Sequence, residues 1–375
     1  MNKTNLKTVI IGTGMIAQVH FRSIKNAGGN VVGVVDTDFE RAKTISQAWG
    51  VKAYENAEAA FSDENIDVIH VCTPNAFHYP LAKQALLAGK HVICEKPLAI
   101  NSHEAEELVQ LAKQSGKVAA VPFVYRYHPM VREAKALIDQ GEIGQLELIH
   151  GSYLQDWLLG KNDNNWRVDA KLGGQSRAFA DIGSHWCDLI EWVSGTRFVE
   201  LTSNLHTVQK TRVSGSVETF TDKQVAEDSP RVAVTTEDIA TVLLRTETGV
   251  PVCLTVSQVS AGRKNRLWFE IDGTEKSVEF DQELPEQLWV NSRDSKSLVV
   301  KDPTRGSDEQ KRLAVLPAGH VQGYSHCFDA FVNDCYATIS GESRIGLPTF
   351  EDGYRASKII DAVLSAARNK KWVDI

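Results

Sequence analysis

Thr8-Val-Ile-Ile-Gly-Thr-Gly-Met-Ile-Ala17 joins an apolar run to a helical pattern through two glycines. Residues 8–11 read as a buried strand and Met15 to Ala27 as a helix. Between them, Gly12-Thr-Gly-Met-Ile-Ala17 has GxGxxA spacing. The motif is weak alone and gains meaning where a strand ends and a helix begins. Gly12 permits the tight turn, Gly14 lets a backbone approach a pyrophosphate, and Ala17 lets the helix lie close to the sheet. The phosphates would then face the free N–H groups and positive dipole end of the helix. Asp36 follows Gly12 by 24 residues, at the end of a second strand. A carboxylate there accepts both hydroxyl hydrogens of an adenosine ribose and repels a 2′-phosphate. NAD is therefore expected in preference to NADP, with Arg41 close enough to soften the preference. The expected cofactor contacts in this stretch are Gly12, Gly14, Met15, Ile16, Asp36, Thr37 and Arg41. The competing reading is an ordinary strand–helix turn with Asp36 merely at the surface.

Outward from this motif, strands and helices alternate. Strands are expected at 31–35, 51–54, 68–72, 91–94 and 118–121, and helical segments at 39–49, 57–61, 79–88 and 102–115. Strands apolar on both faces imply a parallel sheet covered on each side, and right-handed crossovers give a doubly wound α/β (Rossmann) domain over residues 1–123. Ser102 is expected to cap the last of these helices, with acids in its first turn. Beyond it, helices are expected at 129–140 and 181–193, then strands at 241–245, 252–259, 267–272, 276–280 and 288–290. Asp272-Gly273 is a hairpin signal. The polar stretches 206–236 and 291–312 read as long loops or an irregular hairpin, and helices at 323–339 and 350–369 close the chain. Residues 124–375 thus read as an α/β domain with a large open, mostly antiparallel sheet.

The 375 residues carry 41 basic and 48 acidic side chains, a net charge of −7, which gives no electrostatic reason to expect nucleic acid or an anionic membrane as partner. No run of 18 apolar residues reads as a membrane span. Lys3 and Lys7 ahead of an apolar stretch faintly resemble a signal peptide, but two glycines break that stretch and it reads better as strand and turn. The six cysteines are scattered, without a CxxC pair, which suits free thiols and a cytoplasmic location. No HxH or HExxH occurs, so no metal is expected, and no GxSxG elbow supports acyl transfer.

Three further motifs carry a resemblance. Cys72-Thr-Pro-Asn75, with His78 beyond, and Glu95-Lys-Pro97 each follow a strand, and Asp181-Ile-Gly-Ser-His185 lies in the second domain. With the GxGxxA turn, the chain resembles the glucose–fructose oxidoreductase/inositol dehydrogenase (Gfo/Idh/MocA) family over nearly its whole length. The resemblance implies an NAD(P)-dependent dehydrogenase of sugars, polyols or related carbohydrates. It also implies a C-terminal sheet that makes oligomer contacts, so a homodimer or homotetramer is expected. Lys96 matches the family's active-site lysine, and Asp181 and His185 match its Asp and His. Thr73, Pro74, Asn75, His78 and Glu95 match positions lining the cofactor, with Lys96 beside them. Arg126 matches a position near substrate and nicotinamide, and Trp166-Arg167 resembles the family's Trp-Arg element. Ser176 and Arg177 stand where small residues are usual, a departure that bears on substrate preference.

These residue types suit alcohol oxidation. The hydroxyl proton needs a base with a pKa near working pH, for which His185 is the candidate, with core packing beside Trp186 and Trp192 as the competing reading. Asp181, four residues earlier, would share a helix face with it and orient the ring or bind hydroxyls. Lys96 at a strand end can stabilise developing alkoxide charge; Pro97 fixes the backbone after it and is a candidate cis peptide. Trp157, Trp166 and Tyr153 could stack on a sugar ring or simply pack a core. His320 could bond a sugar hydroxyl or cap a helix. The substrate side is thus expected to hold Lys96, Arg126, Trp157, Asp181, His185 and His320. Two alternatives stand beside the dehydrogenase. One is an enzyme that retains its NAD and oxidises a glycoside transiently; the other is a non-enzymatic sugar- or nucleotide-sensing regulator.

Overall fold

The computed structural model describes residues 5–214 and 230–375, and the chain divides into two compact units. The first unit takes the chain to Phe123 and adds Lys171–Gly174 and Ser325–Ser357; the second holds Val124–Ala170, Gln175–Tyr324 and Lys358–Ile375.

In the first unit, β1 (Lys7–Ile11), β2 (Asn30–Val35), β3 (Lys52–Ala53), β4 (Val68–Val71), β5 (His91–Cys94) and β6 (Ala119–Ala120) form a parallel sheet in the order β3-β2-β1-β4-β5-β6. The crossovers are α1 (Met15–Asn26), α2 (Phe39–Trp49), α3 (Ala57–Phe61), α4 (His78–Leu87) and α5 (Ser102–Ser115). Every residue of β4 is buried, as a strand covered on both faces requires. The order reverses between β1 and β4, so the crevice of a doubly wound sheet opens at the carboxyl ends of these strands. Local chemistry punctuates the helices. The Asp38 carboxylate caps α2 by accepting from the Glu40 and Arg41 N–H groups, and Gly50, at φ +68°, ends it. On α5 the cap is Asn101, which accepts from the Glu104 N–H at 2.9 Å, and Ser102 is the first helical residue instead.

Beyond Phe123 the chain runs α6 (Pro129–Asp139), β7 (Leu146–Leu154), α7 (Ala170–Gly173), α8 (Ser184–Ser194), β8 (Phe198–His206), β9 (Thr211–Val213), β10 (Arg231–Ala233), β11 (Ile239–Thr246), β12 (Pro251–Ser257), β13 (Arg266–Gly273), β14 (Lys276–Asp281), β15 (Gln287–Ser292), β16 (Lys296–Val300), α9 (Asp308–Leu313), α10 (Tyr324–Ile339), α11 (Phe350–Asn369) and β17 (Val373–Asp374). The second unit is built on nine strands in the order β16-β15-β14-β13-β7-β12-β11-β8-β17, antiparallel except where β7 meets β12. Burial alternates cleanly on β11: Ala240, Val242 and Leu244 are buried, while Thr241, Leu243 and Arg245 are exposed. One face of the sheet is therefore packed and the other open.

Of the two polar stretches expected as long loops or an irregular hairpin, residues 291–312 hold the end of β15, its antiparallel partner β16 and the helix α9. Of the 206–236 stretch, β9 and β10 pair antiparallel, and residues 215–229 lie outside the described ones.

Candidate active site

The nucleotide turn is built as its spacing suggests. Gly12 adopts φ +99°, and a Cβ there would stand 2.5 Å from the Cys72 carbonyl oxygen, so only glycine fits between β1 and the end of β4. Gly14 starts α1, and a Cβ on it would meet nothing within 4 Å. No side chain caps the helix there. Met15 and Ile16 thus begin a helix whose N-terminus faces open space, a cradle suited to a pyrophosphate. Asp36, half-buried just past β2, accepts from the Thr13 N–H at 3.0 Å and the Thr13 hydroxyl through Oδ2. Its Oδ1 accepts from the Asp38 N–H at 3.1 Å, with the Thr37 hydroxyl at 3.5 Å. Arg41 reaches the Thr13 carbonyl at 3.2 Å. The carboxylate therefore braces the glycine turn while standing beside it, and its hydroxyl bonds can be exchanged for those of a ribose.

The ends of β4 and β5 supply the remaining first-unit candidates. The Thr73 hydroxyl is buried with no partner among the described residues, next to Gly12. Pro74 leads into a single 3₁₀ turn at Asn75–Phe77, and the Asn75 amide donates to the Gly173 carbonyl at 2.9 Å. His78 bridges two loops, with Nδ1 2.7 Å from the Pro97 carbonyl and Nε2 2.9 Å from that of Thr73. Burial pushes this imidazole below its ordinary range, against the pull of both carbonyls. Lys96 is half-buried, its peptide to Pro97 is cis, and its N–H donates to Glu95 Oε2 at 3.2 Å.

In the second unit, the expected helix over 181–193 is two pieces: a π-helical turn, Phe179–Gly183, running into α8. Gly183 explains the wide turn, because a Cβ there would lie 2.6 Å from the Phe179 ring. Asp181 sits in this turn. Its Oδ1 accepts from Arg167 Nε at 3.2 Å and its Oδ2 from the Gln258 amide at 2.8 Å. Arg167 also lies 4.5 Å from the Trp166 ring and 6.0 Å from that of Trp157. His185 is buried in the first turn of α8, its ring edge-on to Tyr125 with centroids 4.8 Å apart. The Tyr125 hydroxyl bonds that of Tyr153 at 2.6 Å, and Tyr153 donates to Asn265 at 2.7 Å. Burial pushes the Tyr153 phenol well above its usual range, with Tyr125 adding to it. Trp157 donates to Gln155 at 2.8 Å, and Gln155 to Asn265 at 2.9 Å.

Two candidates have other commitments. The Arg126 guanidinium forms a two-pronged pair with Asp188 of α8, one bond at 2.8 Å, and is 4% exposed. The pair uses Nε and one Nη2 hydrogen of the five guanidinium N–H donors. His320 is exposed ahead of α10, its Nδ1 3.4 Å from the Ala318 carbonyl, and four residues short of the helix it could have capped. A cavity of about 470 Å³ is lined by His128, Asn265, Gln282 and Tyr324 among others. Neither Asp181 nor His185 lines it.

Sequence reasoning missed Gln258, which lies one residue past β12 and grips Asp181. It also missed His20, wholly buried three residues after Ala17 on the inward face of α1. A histidine at that helical spacing, among Ala17 and Ile24, is a signal that could have been read. Among the described residues, no three His, Cys, Asp or Glu side chains are placed to hold a metal ion, and no helix is long and apolar enough to cross a membrane.

A family model described as an oxidoreductase family with an NAD-binding Rossmann fold matches residues 6–123, and one described as a GFO/IDH/MocA C-terminal domain matches 131–279. Levoglucosan dehydrogenase of Pseudarthrobacter phenanthrenivorans is 31% identical over 91% of this chain and 88% of its own. Glucose-6-phosphate 3-dehydrogenase of Bacillus subtilis is 28% identical over 98% of both. Among solved structures, a levoglucosan dehydrogenase in complex with NADH and L-sorbose superposes with a TM-score of 0.90, at 27% identity over 99% of each chain.

Proposed function

The chain belongs to the Gfo/Idh/MocA family of oxidoreductases, and on that premise we propose that it oxidises a secondary hydroxyl of a sugar, cyclic polyol or glycoside. It is an NAD-binding enzyme whose relatives are sugar and polyol dehydrogenases. What carries the finer reading is the grip on Asp181: Arg167 and Gln258 hold its two oxygens, one turn ahead of His185. A carboxylate held this still, by an Arg167 that lies against the Trp157 and Trp166 rings, suits a rigid ring rich in hydroxyls better than a flexible apolar alcohol.

In this reading residues 1–123 form the nucleotide domain and 124–375 the substrate domain. The open N-terminus of α1 and the Gly12–Gly14 turn take the pyrophosphate, and Asp36 takes the ribose hydroxyls in preference to a 2′-phosphate. Bound NAD supplies the hydride acceptor. His185 removes the hydroxyl proton, a task for which an imidazole needs no large shift. Lys96 supplies the ammonium that stabilises developing alkoxide charge. Asp181 accepts from a neighbouring hydroxyl and fixes which carbon faces the acceptor. Copies of the chain pair through the open face of the nine-stranded sheet, where Leu148, Leu243 and Cys253 are exposed. The mass in solution tests that pairing.

The relatives named for levoglucosan and glucose 6-phosphate support a carbohydrate substrate. The test is NADH absorbance with purified protein, NAD and a panel of inositols, hexoses, anhydrosugars and glycosides at about pH 9, where the released proton is removed. NADH accumulating with one structural subset is expected. Silence across the panel, with NAD binding shown separately, would contradict the proposal.

A further inference from the structure

We propose that His20 is a positioning residue for Lys96, acting through the Glu95 carboxylate at the end of a directed chain of buried hydrogen bonds. The proposal rests on the assignment of Lys96 to the reacting oxygen. His20 Nε2 lies 3.0 Å from Glu95 Oε1, and the other Glu95 oxygen accepts the Lys96 N–H at 3.2 Å. On its far side, His20 Nδ1 lies 2.6 Å from His70 Nδ1. His70 Nε2 is 3.2 Å from the Tyr336 hydroxyl, which is 2.7 Å from Thr8 Oγ1. His20 and His70 are wholly buried, and all five side chains belong to the first unit.

With one proton on each imidazole ring, every bond takes a fixed direction. A carboxylate only accepts, so His20 must donate from Nε2. With one proton on its ring, Nδ1 is an acceptor, and His70 must donate from its own Nδ1. His70 Nε2 then accepts from Tyr336, whose oxygen accepts from Thr8. Burial pushes His70 well below its ordinary range, which agrees with a neutral ring carrying a single proton. The chain thus gives a buried carboxylate a donor of fixed orientation, and that carboxylate holds the backbone at Lys96.

The groups facing Glu95 are His20 from α1, His78 from α4, Cys72 beyond β4, and Cys94 and Lys96 on its own strand end. Burial raises the Glu95 carboxyl, and the His20 bond, followed by Lys96 and His78, brings it below its usual value. Removing His20 leaves burial in command. The carboxyl then titrates at higher pH, and its hold on Lys96 weakens as pH falls through that value.

The experiment compares kcat against pH, with NAD affinity and melting temperature, for wild type, His20→Leu, His20→Gln and His20→Leu/Glu95→Gln. His20→Leu should lower kcat about tenfold, the effect of one lost bond to a charged group. It should also add an acid limb absent from the wild-type profile and leave NAD affinity within about threefold. His20→Gln, which keeps a donor near the Nε2 position, should restore kcat and remove the limb. The double variant, with no carboxylate to titrate, should also lack it. His70→Phe, which removes the Nδ1 donor but not the Glu95 contact, should move kcat the same way by less, and stands in if His20→Leu fails to fold. A His20→Leu or His70→Phe profile superimposable on wild type, or His20→Gln no better than His20→Leu, would overturn the proposal. Lys96→Met separates the two layers. Full turnover in that variant overturns the Lys96 assignment and this inference with it. A dead Lys96→Met beside a normal His20→Leu overturns this inference alone.

Discussion

Replacing Asp36 with alanine separates the bracing of the glycine turn from the ribose binding proposed for the same carboxylate. In the free protein it accepts the Thr13 and Asp38 N–H groups at 3.0 and 3.1 Å. Thr13 is 3% exposed, so its N–H is left without an acceptor, at about 1–3 kcal/mol; Asp38 is exposed and water replaces the lost bond at little cost. The stability loss should therefore be about 2 kcal/mol. NAD loses a charged acceptor for its ribose diol. Taken at about 3 kcal/mol, that weakens binding roughly 100-fold. NADP, which the carboxylate repels, should weaken far less, so the preference between the two cofactors narrows or inverts. Asp36→Asn is the control: it keeps an acceptor for the Thr13 N–H and most of the stability, while the charge that disfavours a 2′-phosphate is gone. The assay is titration of both cofactors alongside thermal unfolding. A destabilised Asp36→Ala with an unchanged ratio of NAD to NADP affinity would refute the reasoning, leaving Asp36 as a brace for the turn alone.

Gln258→Leu keeps the bulk but removes one of the two bonds on Asp181, and kcat/KM should fall about tenfold with NAD affinity unchanged; unaltered steady-state kinetics would remove Gln258 from the site. Gly12→Ala forces a Cβ onto the Cys72 carbonyl at φ +99°, at about 3 kcal/mol or more, because the atom it meets is backbone and cannot swing aside as a side chain would. Its melting temperature should drop and NAD binding should be lost, and a variant that melts and binds like wild type would contradict the turn geometry. Lys96→Met should abolish turnover while NAD still binds, which a direct cofactor titration checks against the rate.

The first unit was legible because its signals are local. The glycine spacing, the two-sided apolar strands and the Asp36 position each depend on a few neighbouring residues. The second unit hid one of its central strands. β7 carries Glu147, His150 and Gly151 and shows no clean alternation, because its open face tolerates polar groups. Gly151 is dictated from elsewhere, since a Cβ there would lie 2.6 Å from Trp186 Nε1. β16, largely exposed at the sheet edge, likewise offers no burial pattern to read. Partner choice was not readable either. Arg167 turned to Asp181 and Arg126 to Asp188 through pairings 14 and 62 residues apart, set by packing and not by spacing. The Asp181–His185 interval was visible, but the π-helical turn that carries Asp181 follows from Phe179 lying against Gly183, a contact no periodicity announces.

The proposed reaction is net hydride transfer from a hydroxyl-bearing carbon to NAD that is then released. It is tested most directly with the panel substrate that turns over, deuterated at the reacting carbon, and NAD in excess. Released NADH should carry deuterium at nicotinamide C4, one equivalent for each substrate oxidised, with a slowed rate if hydride transfer limits turnover. Substrate consumed with no deuterated NADH released, or deuterium lost to solvent, would contradict it.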